Sequence, residues 1–304
     1  MILILGVTAS GKGRLAFDIA GRIDAEIISI DSMKVYRRMD IGTAKPSASR
    51  RNQIKYHLLD AVEPCEEFSV DRFLALTDES IKKITADGKK VVAVGGTAMY
   101  IKALLFGLFD GPGGDDNIRK KLKRQIALYG TADLHIKLTA VDPVAAERIH
   151  PNDARRIIRA LEVYQLTGKP ISSFQQQFSS AKAMGDWKII GLRRPKDIES
   201  SRINSRVKQM IERGFVGEVN GLLAEDEPLS KQARGAIGYA EIIEHLEDGI
   251  PLEKAVENIK VNTRRLAKSQ RTWFKTFKDV NWLDIDDGDG PEDILQKAMA
   301  VIGE

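Results

Sequence analysis

At 304 residues, with 43% hydrophobic and 30% charged residues, the chain is long enough for a large core plus a smaller module and too apolar for wholesale disorder. A formal net charge of +4 identifies no partner by itself, and no apolar run reaches the roughly 20 residues that span a bilayer. The lone cysteine, Cys65, excludes an internal disulfide and a cysteine-based zinc cluster, which suits a reducing, cytoplasmic setting; with a strand expected from Ile2, no leader peptide is expected.

The first predicted element is a short buried strand at residues 2–5, closed by Gly6. From there Gly6, Val7, Thr8, Ala9, Ser10, Gly11 and Lys12 follow the pattern G-x-x-x-x-G-K-[ST]. In that pattern backbone amides and a helix N-terminus cradle phosphate oxygens, and the lysine adds a point charge. The last position, where a hydroxyl would ligate Mg²⁺, is Gly13. Leu15, Ile19 and Ile23 continue at helical spacing, so the motif has the strand–loop–helix setting it requires. The hydroxyls of Thr8 and Ser10 either meet an anion or satisfy the loop.

A second buried strand, "EIISID", ends in Asp31, at the carboxyl end where parallel sheets place ligands. A carboxylate there holds Mg²⁺ through water, takes a proton from a nucleophile, or caps the next turn. The third strand, "KKVVAVGGT", ends in the Gly95-Gly96 turn and Thr97, with a helix from about Met99. It lacks the aspartate that completes the metal site of P-loop hydrolases, and no N-K-x-D guanine-reading string occurs, so motor and GTPase chemistry lose ground.

After "FDGPGGDD" the alternation stops. Residues 118–178 read as helical, most clearly 154–166, until the Gln/Ser-rich "SSFQQQFSSAKAMG" returns the chain to strand pattern. This predicts a helical subdomain at 113–183 inserted into an α/β core formed by 1–112 and 184–304. The insert holds twelve Lys/Arg against seven Asp/Glu, as on a polyanion-binding surface or a solvated helical face. Within it Arg155, Arg156 and Arg159 form a basic cluster. Strands at 187–192 and 280–285 complete a parallel sheet covered on both faces. Arg202 and Arg206 lie one turn apart, placed to clamp an anion or to pair with carboxylates.

A long helix is predicted at 256–278. Arg264, Lys268, Arg271 and Lys275, extended by Lys260 and Lys278, make one face basic, while Leu266, Trp273 and Phe277 are expected to pack inward. Such a stripe suits a phosphate backbone, or simply solvent. His57, His135, His150 and His245 share no ligand-like spacing and read as structural or surface residues.

The strings "GVTASGKG", "DSMKVYRRMDIGTAKP", "VGGTAMYIKALLFGL", "VDPVAAERIHPNDARRIIRALEVY", "MIERGFVGEV", "RGAIGYAE" and "TRRLAKSQRTWF" together resemble the tRNA dimethylallyltransferases (tRNA isopentenyltransferases). The match runs nearly end to end. It implies a P-loop kinase-like core with an inserted helical domain. It also implies transfer of a dimethylallyl group from dimethylallyl diphosphate to N6 of the adenosine 3′ of the tRNA anticodon, with release of pyrophosphate. The loop would then cradle an isoprenoid diphosphate, with Lys12 stabilising the leaving charge and Arg206 holding the diphosphate. Asp31 would accept the N6 proton. By the same resemblance Asp31, Ser32, Met33, Lys34, Thr97, Arg155, Arg156 and Arg159 fall where the family contacts tRNA, and Arg119 sits near another such contact. The implied partners are tRNA and dimethylallyl diphosphate, with Mg²⁺ as cofactor, no membrane, and a monomeric chain.

Three positions depart from the family pattern. Val7 replaces a Pro, which changes loop stiffness. Lys34 replaces a Gln, losing an amide that reads a base edge and gaining a phosphate-seeking charge. Gly13 replaces the Ser/Thr that serves both Mg²⁺ and diphosphate. This predicts either a working, metal-impaired enzyme in which water and Asp31 replace the hydroxyl, or a weakened paralogue. The other classes are a small-molecule kinase with ATP in the loop, which leaves the basic clusters unexplained, and a tRNA-binding protein without catalysis, which leaves Lys12, Asp31 and Arg206 unexplained.

Overall fold

The computed structural model describes residues 1–107, 111–174 and 186–303. The chain divides into two compact units, Met1–Leu105 with Gly185–Glu304, and Phe106–Met184. The first unit opens with β1 (Ile2–Gly6), α1 (Lys12–Arg22), β2 (Ala25–Ile30), α2 (Ala48–Gln53), β3 (Tyr56–His57), α3 (Val70–Ala86), β4 (Lys90–Gly95) and α4 (Ala98–Phe106). The helical unit contains α5 (Asp116–Tyr129), α6 (Thr131–Val141), α7 (Pro143–Arg148), α8 (Ala154–Thr167) and α9 (Ile171–Phe174). The chain then returns to the first unit with β5 (Lys188–Arg193), α10 (Lys196–Glu212), α11 (Phe215–Leu223), α12 (Lys231–Arg234), α13 (Tyr239–Asp248), α14 (Leu252–Phe274), β6 (Val280–Asp284) and α15 (Pro291–Ile302).

All six strands pair in parallel, in the order β3-β2-β4-β1-β5-β6. Both faces are buried, which is why the strands read as continuous apolar runs rather than alternating ones. Ile2, Ile4, Ile27, Val92 and Ile190 pack with Leu15, Ala16 and Ile19 of α1 and with Leu295 and Ala298 of α15. The alternate residues Leu3, Leu5, Ile28 and Ile30 are equally buried. β1 stands between β4 and β5. The chain leaving β1 reaches β2 beyond β4, while β5 fills the other side, so strand order reverses at the end of β1 and opens a crevice there.

The two-residue β3 escapes a sequence reading because it is too short to show a period. It is tied to β2 by His57 Nε2, 2.6 Å from Glu26 Oε2. The remaining histidines serve local structure too: His135 bonds the carbonyls of Ala146 and Ile149, His245 that of Ile250, and His150 the amide of Asn152.

The segment "MDIGTAKP" is fixed by a half-buried carboxylate and a buried ammonium. The Glu218 carboxylate on α11 accepts the amides of Asp40 (3.0 Å), Ile41 (2.7 Å) and Gly42 (3.2 Å) and the Tyr239 hydroxyl (2.6 Å). The Lys45 ammonium, 1% exposed, donates to Tyr36 O, Asp40 and Asp60. Gly42 lies flat on Phe215 and Tyr239, whose rings a Cβ would approach within 2.5 Å. The chain that follows Asp31 is therefore tightly held.

The long helix starts and ends earlier than expected. It buries Ala255, Ile259, Thr263, Ala267, Gln270 and Phe274. Leu266, expected inside, is 39% exposed, Lys275 is the C-cap, and Lys278 lies beyond the helix. Close packing selects alanines and Gln270 for the inward stripe, so bulk apolarity was a misleading guide there. Phe277 is buried as expected, and Trp273 is half-buried.

In the helical unit Leu122, Leu134, Leu138, Ile157, Leu161 and Val163 form a separate core. Its described residues contain no strand, as expected; the "SSFQQQFSSAKAMG" exit lies largely outside the described residues. Among the described residues no helix is long and apolar enough to cross a membrane.

Candidate functional site

The parallel register sets Leu5, Gly95 and Ile30 side by side, so Gly6, Gly96 and Asp31 leave three neighbouring strands at one level. Gly95 is required by that closeness: a Cβ would stand 2.0 Å from the Ile30 carbonyl oxygen. The loop from Gly6 turns through left-handed Ala9 (φ 64°) and Gly11 (φ 99°) into α1. Gly11 gives α1 no side-chain cap, so its first-turn amides face the crevice with the positive end of the helix dipole.

Gln270 of α14 holds this geometry. Its Oε1 accepts the Thr8 amide at 2.8 Å, and its Nε2 donates to Gly96 O at 2.8 Å. One buried side chain thus locks the loop of β1 to the turn after β4. On the other side three arginines grip the loop. Arg194 Nε donates to Ser10 O (3.0 Å), Arg202 Nε to Ala9 O (2.9 Å), and Arg206 Nη2 to Thr8 Oγ1 (2.5 Å). Among the described residues neither Arg202 nor Arg206 meets a carboxylate, which favours anion clamping over ion pairing. Ser10 Oγ and Arg206 Nε are buried without a hydrogen-bond partner among the described residues.

Lys12 Nζ donates back to Val7 O at 3.1 Å. Burial is the main reason its pKa falls to about 7; Lys34 and Arg206 push the same way, and Asp31 opposes them. Burial likewise lowers Arg206, with Asp31 opposing and Arg202 reinforcing. Asp31 Oδ1 accepts the amides of Met33 (2.9 Å) and Lys34 (3.3 Å), leaving Oδ2 as the free oxygen. One oxygen of the carboxylate thus caps the turn, and the other is left open. Thr97 Oγ1 accepts the Ser32 amide at 3.2 Å, tying the turn after β4 to the chain after β2.

The donors do not fit a resident divalent cation. Gly13 offers no hydroxyl, although among the described residues a side chain there would enter open space. One Asp31 oxygen is spent on amides, and the neighbouring charges are cations. Among the described residues no three carboxylate, histidine or cysteine side chains gather as a metal site.

The basic residues fall into two groups. In the helical unit the buried carboxylate of Glu162 binds Arg119 (2.8 Å), Arg159 (2.7 Å) and the Asp115 amide (2.7 Å). Arg159 also donates to Pro112 O and Gly113 O. Burial disfavours the Glu162 charge, but these donors outweigh it and hold the carboxyl below the usual range. Arg119 and Arg159 are thus structural ties of the "GPGGDD" entry. Arg156 rests 3.4 Å from Asp153, 59% exposed, and Arg155 is exposed. The α14 stripe is partly paired: Arg264 meets Asn204 and shares Glu257 with Lys260, and Arg271 pairs with buried Glu199. Lys268 is exposed and without a partner among the described residues.

Sequence reasoning missed Arg194, Gln270 and Glu218. Arg194 stands just after β5, at the same sheet edge that singled out Asp31, so its signal was available. Gln270 and Glu218 carry none, because each acts on backbone far away in the chain.

The family model described as IPP transferase matches residues 34–277. The chain is 45% identical over 284 residues to the tRNA dimethylallyltransferase of Geobacter metallireducens, covering 93% of this chain and 92% of that one. It is 45% identical over 303 residues to the enzyme of the same name from a Thermoanaerobacter species, covering 98% and 96%. Among solved structures it resembles the full-length tRNA isopentenylpyrophosphate transferase of Bacillus halodurans, with TM-score 0.72, 38% identity, and coverage of 99% and 95%. It also resembles a eukaryotic dimethylallyltransferase described acting on tRNA, with TM-score 0.82, 28% identity, and coverage of 100% and 78%.

Proposed function

The chain belongs to the IPP transferase family, and on that premise we propose that it moves a dimethylallyl group from dimethylallyl diphosphate to N6 of the adenosine 3′ of the tRNA anticodon. The observation that carries this reading is the meeting of Lys12, Arg206 and the free Oδ2 of Asp31 in one crevice at the end of β1. The N6 lone pair attacks C1 of the dimethylallyl group as the C1–O bond to diphosphate breaks. Pyrophosphate leaves into the loop amides, where Lys12 and Arg206 stabilise the charge that grows on its oxygen. The N6 proton passes to Asp31 Oδ2, while Oδ1 keeps the carboxylate oriented through the turn at Met33 and Lys34.

The acceptor's anionic backbone would be met by exposed Arg155 and Arg156 and by Lys268. Lys12, Asp31 and Arg206 come from one chain, so a monomer is the working unit of this reading, in a reducing cytoplasm that suits the lone Cys65. The deciding experiment incubates the protein with labelled dimethylallyl diphosphate, γ-labelled ATP and unmodified tRNA. The reading requires prenyl label in tRNA at one adenosine. Phosphoryl label on a small molecule, or tRNA retention with no label moved, refutes it.

A further inference from the structure

Position 13 brings no hydroxyl to the crevice, and position 34 brings an ammonium. Asp31 Oδ1 folds the chain back on itself by accepting the Met33 and Lys34 amides, so residue 34 begins beside the carboxylate rather than out on the loop. The Lys34 carbonyl accepts the Asp60 amide at 3.3 Å, and Asp60 is itself gripped by Lys45 and Arg51. The backbone is therefore fixed on both sides. The Lys34 side chain is half-buried, and among the described residues its ammonium meets no hydrogen-bond acceptor.

An ammonium partly withdrawn from water without an acceptor is costly. Two donors in the same crevice share that condition, Arg206 Nε and Ser10 Oγ. Burial pushes Lys34 down from its usual pKa; Asp31 opposes this, and Arg206 and Lys45 reinforce it. Lys34 is also the largest charge effect on Lys12. Lys12, Lys34 and Arg206 thus crowd around one carboxylate, and a bound anion relieves all three in their charged forms.

We infer that Lys34 is a diphosphate-binding residue of this chain, whose ammonium supplies the positive charge that a hydroxyl-held divalent cation supplies in other phosphate-binding loops. Pyrophosphate therefore binds here without Mg²⁺. The inference rests on the reading that the loop receives an isoprenoid diphosphate, and it assigns Lys34 to that anion rather than to a tRNA base or phosphate.

The test is calorimetric titration of inorganic pyrophosphate into the full chain, in EDTA and in excess Mg²⁺, for wild type, Lys34→Gln and Gly13→Thr. Wild type should bind in EDTA within about three-fold of its affinity in Mg²⁺. Lys34→Gln should lose about ten-fold or more in EDTA, the worth of one charge-assisted hydrogen bond, with tRNA affinity nearly unchanged. Gly13→Thr, whose side chain has open space, should gain affinity only when Mg²⁺ is present. A wild-type affinity that collapses in EDTA overturns the inference without depending on any variant. So does a Lys34→Gln variant that weakens tRNA binding and spares pyrophosphate. If wild type prenylates tRNA but needs Mg²⁺ for pyrophosphate, this inference fails and the proposed activity stands; pyrophosphate binding in EDTA without prenyl transfer has the opposite meaning.

Discussion

Gln270→Ala tests whether one buried amide sets the shape of the phosphate loop. The substitution leaves two orphaned groups, the Thr8 N–H and the Gly96 carbonyl, each now bonded at 2.8 Å. Gln270 is 8% exposed, so water does not freely replace it. An orphaned buried polar group costs about 1–3 kcal/mol, so the pair should cost about 2–6 kcal/mol of stability. Thr8 is also the residue that Arg206 grips, so losing its anchor should disturb the loop itself. A displacement of about 1 Å at reacting groups lowers turnover by up to about 10²-fold. The assays are urea unfolding with equal denaturant slopes, and kcat for tRNA prenylation. Gln270→Glu keeps the volume and the acceptor for Thr8 but sets a carboxylate oxygen against Gly96 O, so it should rescue little. A midpoint shift worth less than about 1 kcal/mol with normal kcat would show that the loop holds its shape without Gln270, and the reasoning would fail.

Asp31→Asn keeps the Oδ1 turn to Met33 and Lys34 but removes the proton acceptor at Oδ2, so kcat should fall by about 10²-fold or more while tRNA affinity holds; near-normal turnover would remove Asp31 from the chemistry. Lys12, at about 7 in the free protein, is mostly neutral at pH 8, and a bound anion should recharge it. Pyrophosphate binding should then take up close to one more proton at pH 8 in wild type than in Lys12→Arg, and almost no more at pH 6, measured by calorimetry in buffers of different ionisation enthalpy. In salt titrations of tRNA binding Arg155→Ala should shallow the log–log slope by about 0.7 to 0.9. Arg264→Ala with Lys268→Ala should change it by about one such contact rather than two, since Arg264 is already held by Asn204 and Glu257; a two-contact change would return the whole α14 stripe to the tRNA surface.

The residues that chemistry requires to be near one another in the chain were legible in the sequence. The loop of Gly6 to Lys12, its strand–loop–helix setting, Asp31 at a strand end and the helical character of the insert all follow from local spacing, because backbone conformation and amphipathic period are local properties. Family membership was legible for the same reason, through contiguous strings. What the tertiary structure decided is pairing across distance. Strand order, the bridge from Gln270 to Thr8 and Gly96, the hold of Glu218 on residues 40–42, the capture of Arg119 by Glu162, and the bonds of Arg159 to the Pro112 and Gly113 carbonyls join residues far apart in the chain. A charged side chain looks the same in sequence whether it waits for a phosphate or is already neutralised by a buried carboxylate. Only the fold separates Arg155, which is exposed, from Arg159 one turn further along the same helix, which is spent on holding its own domain together.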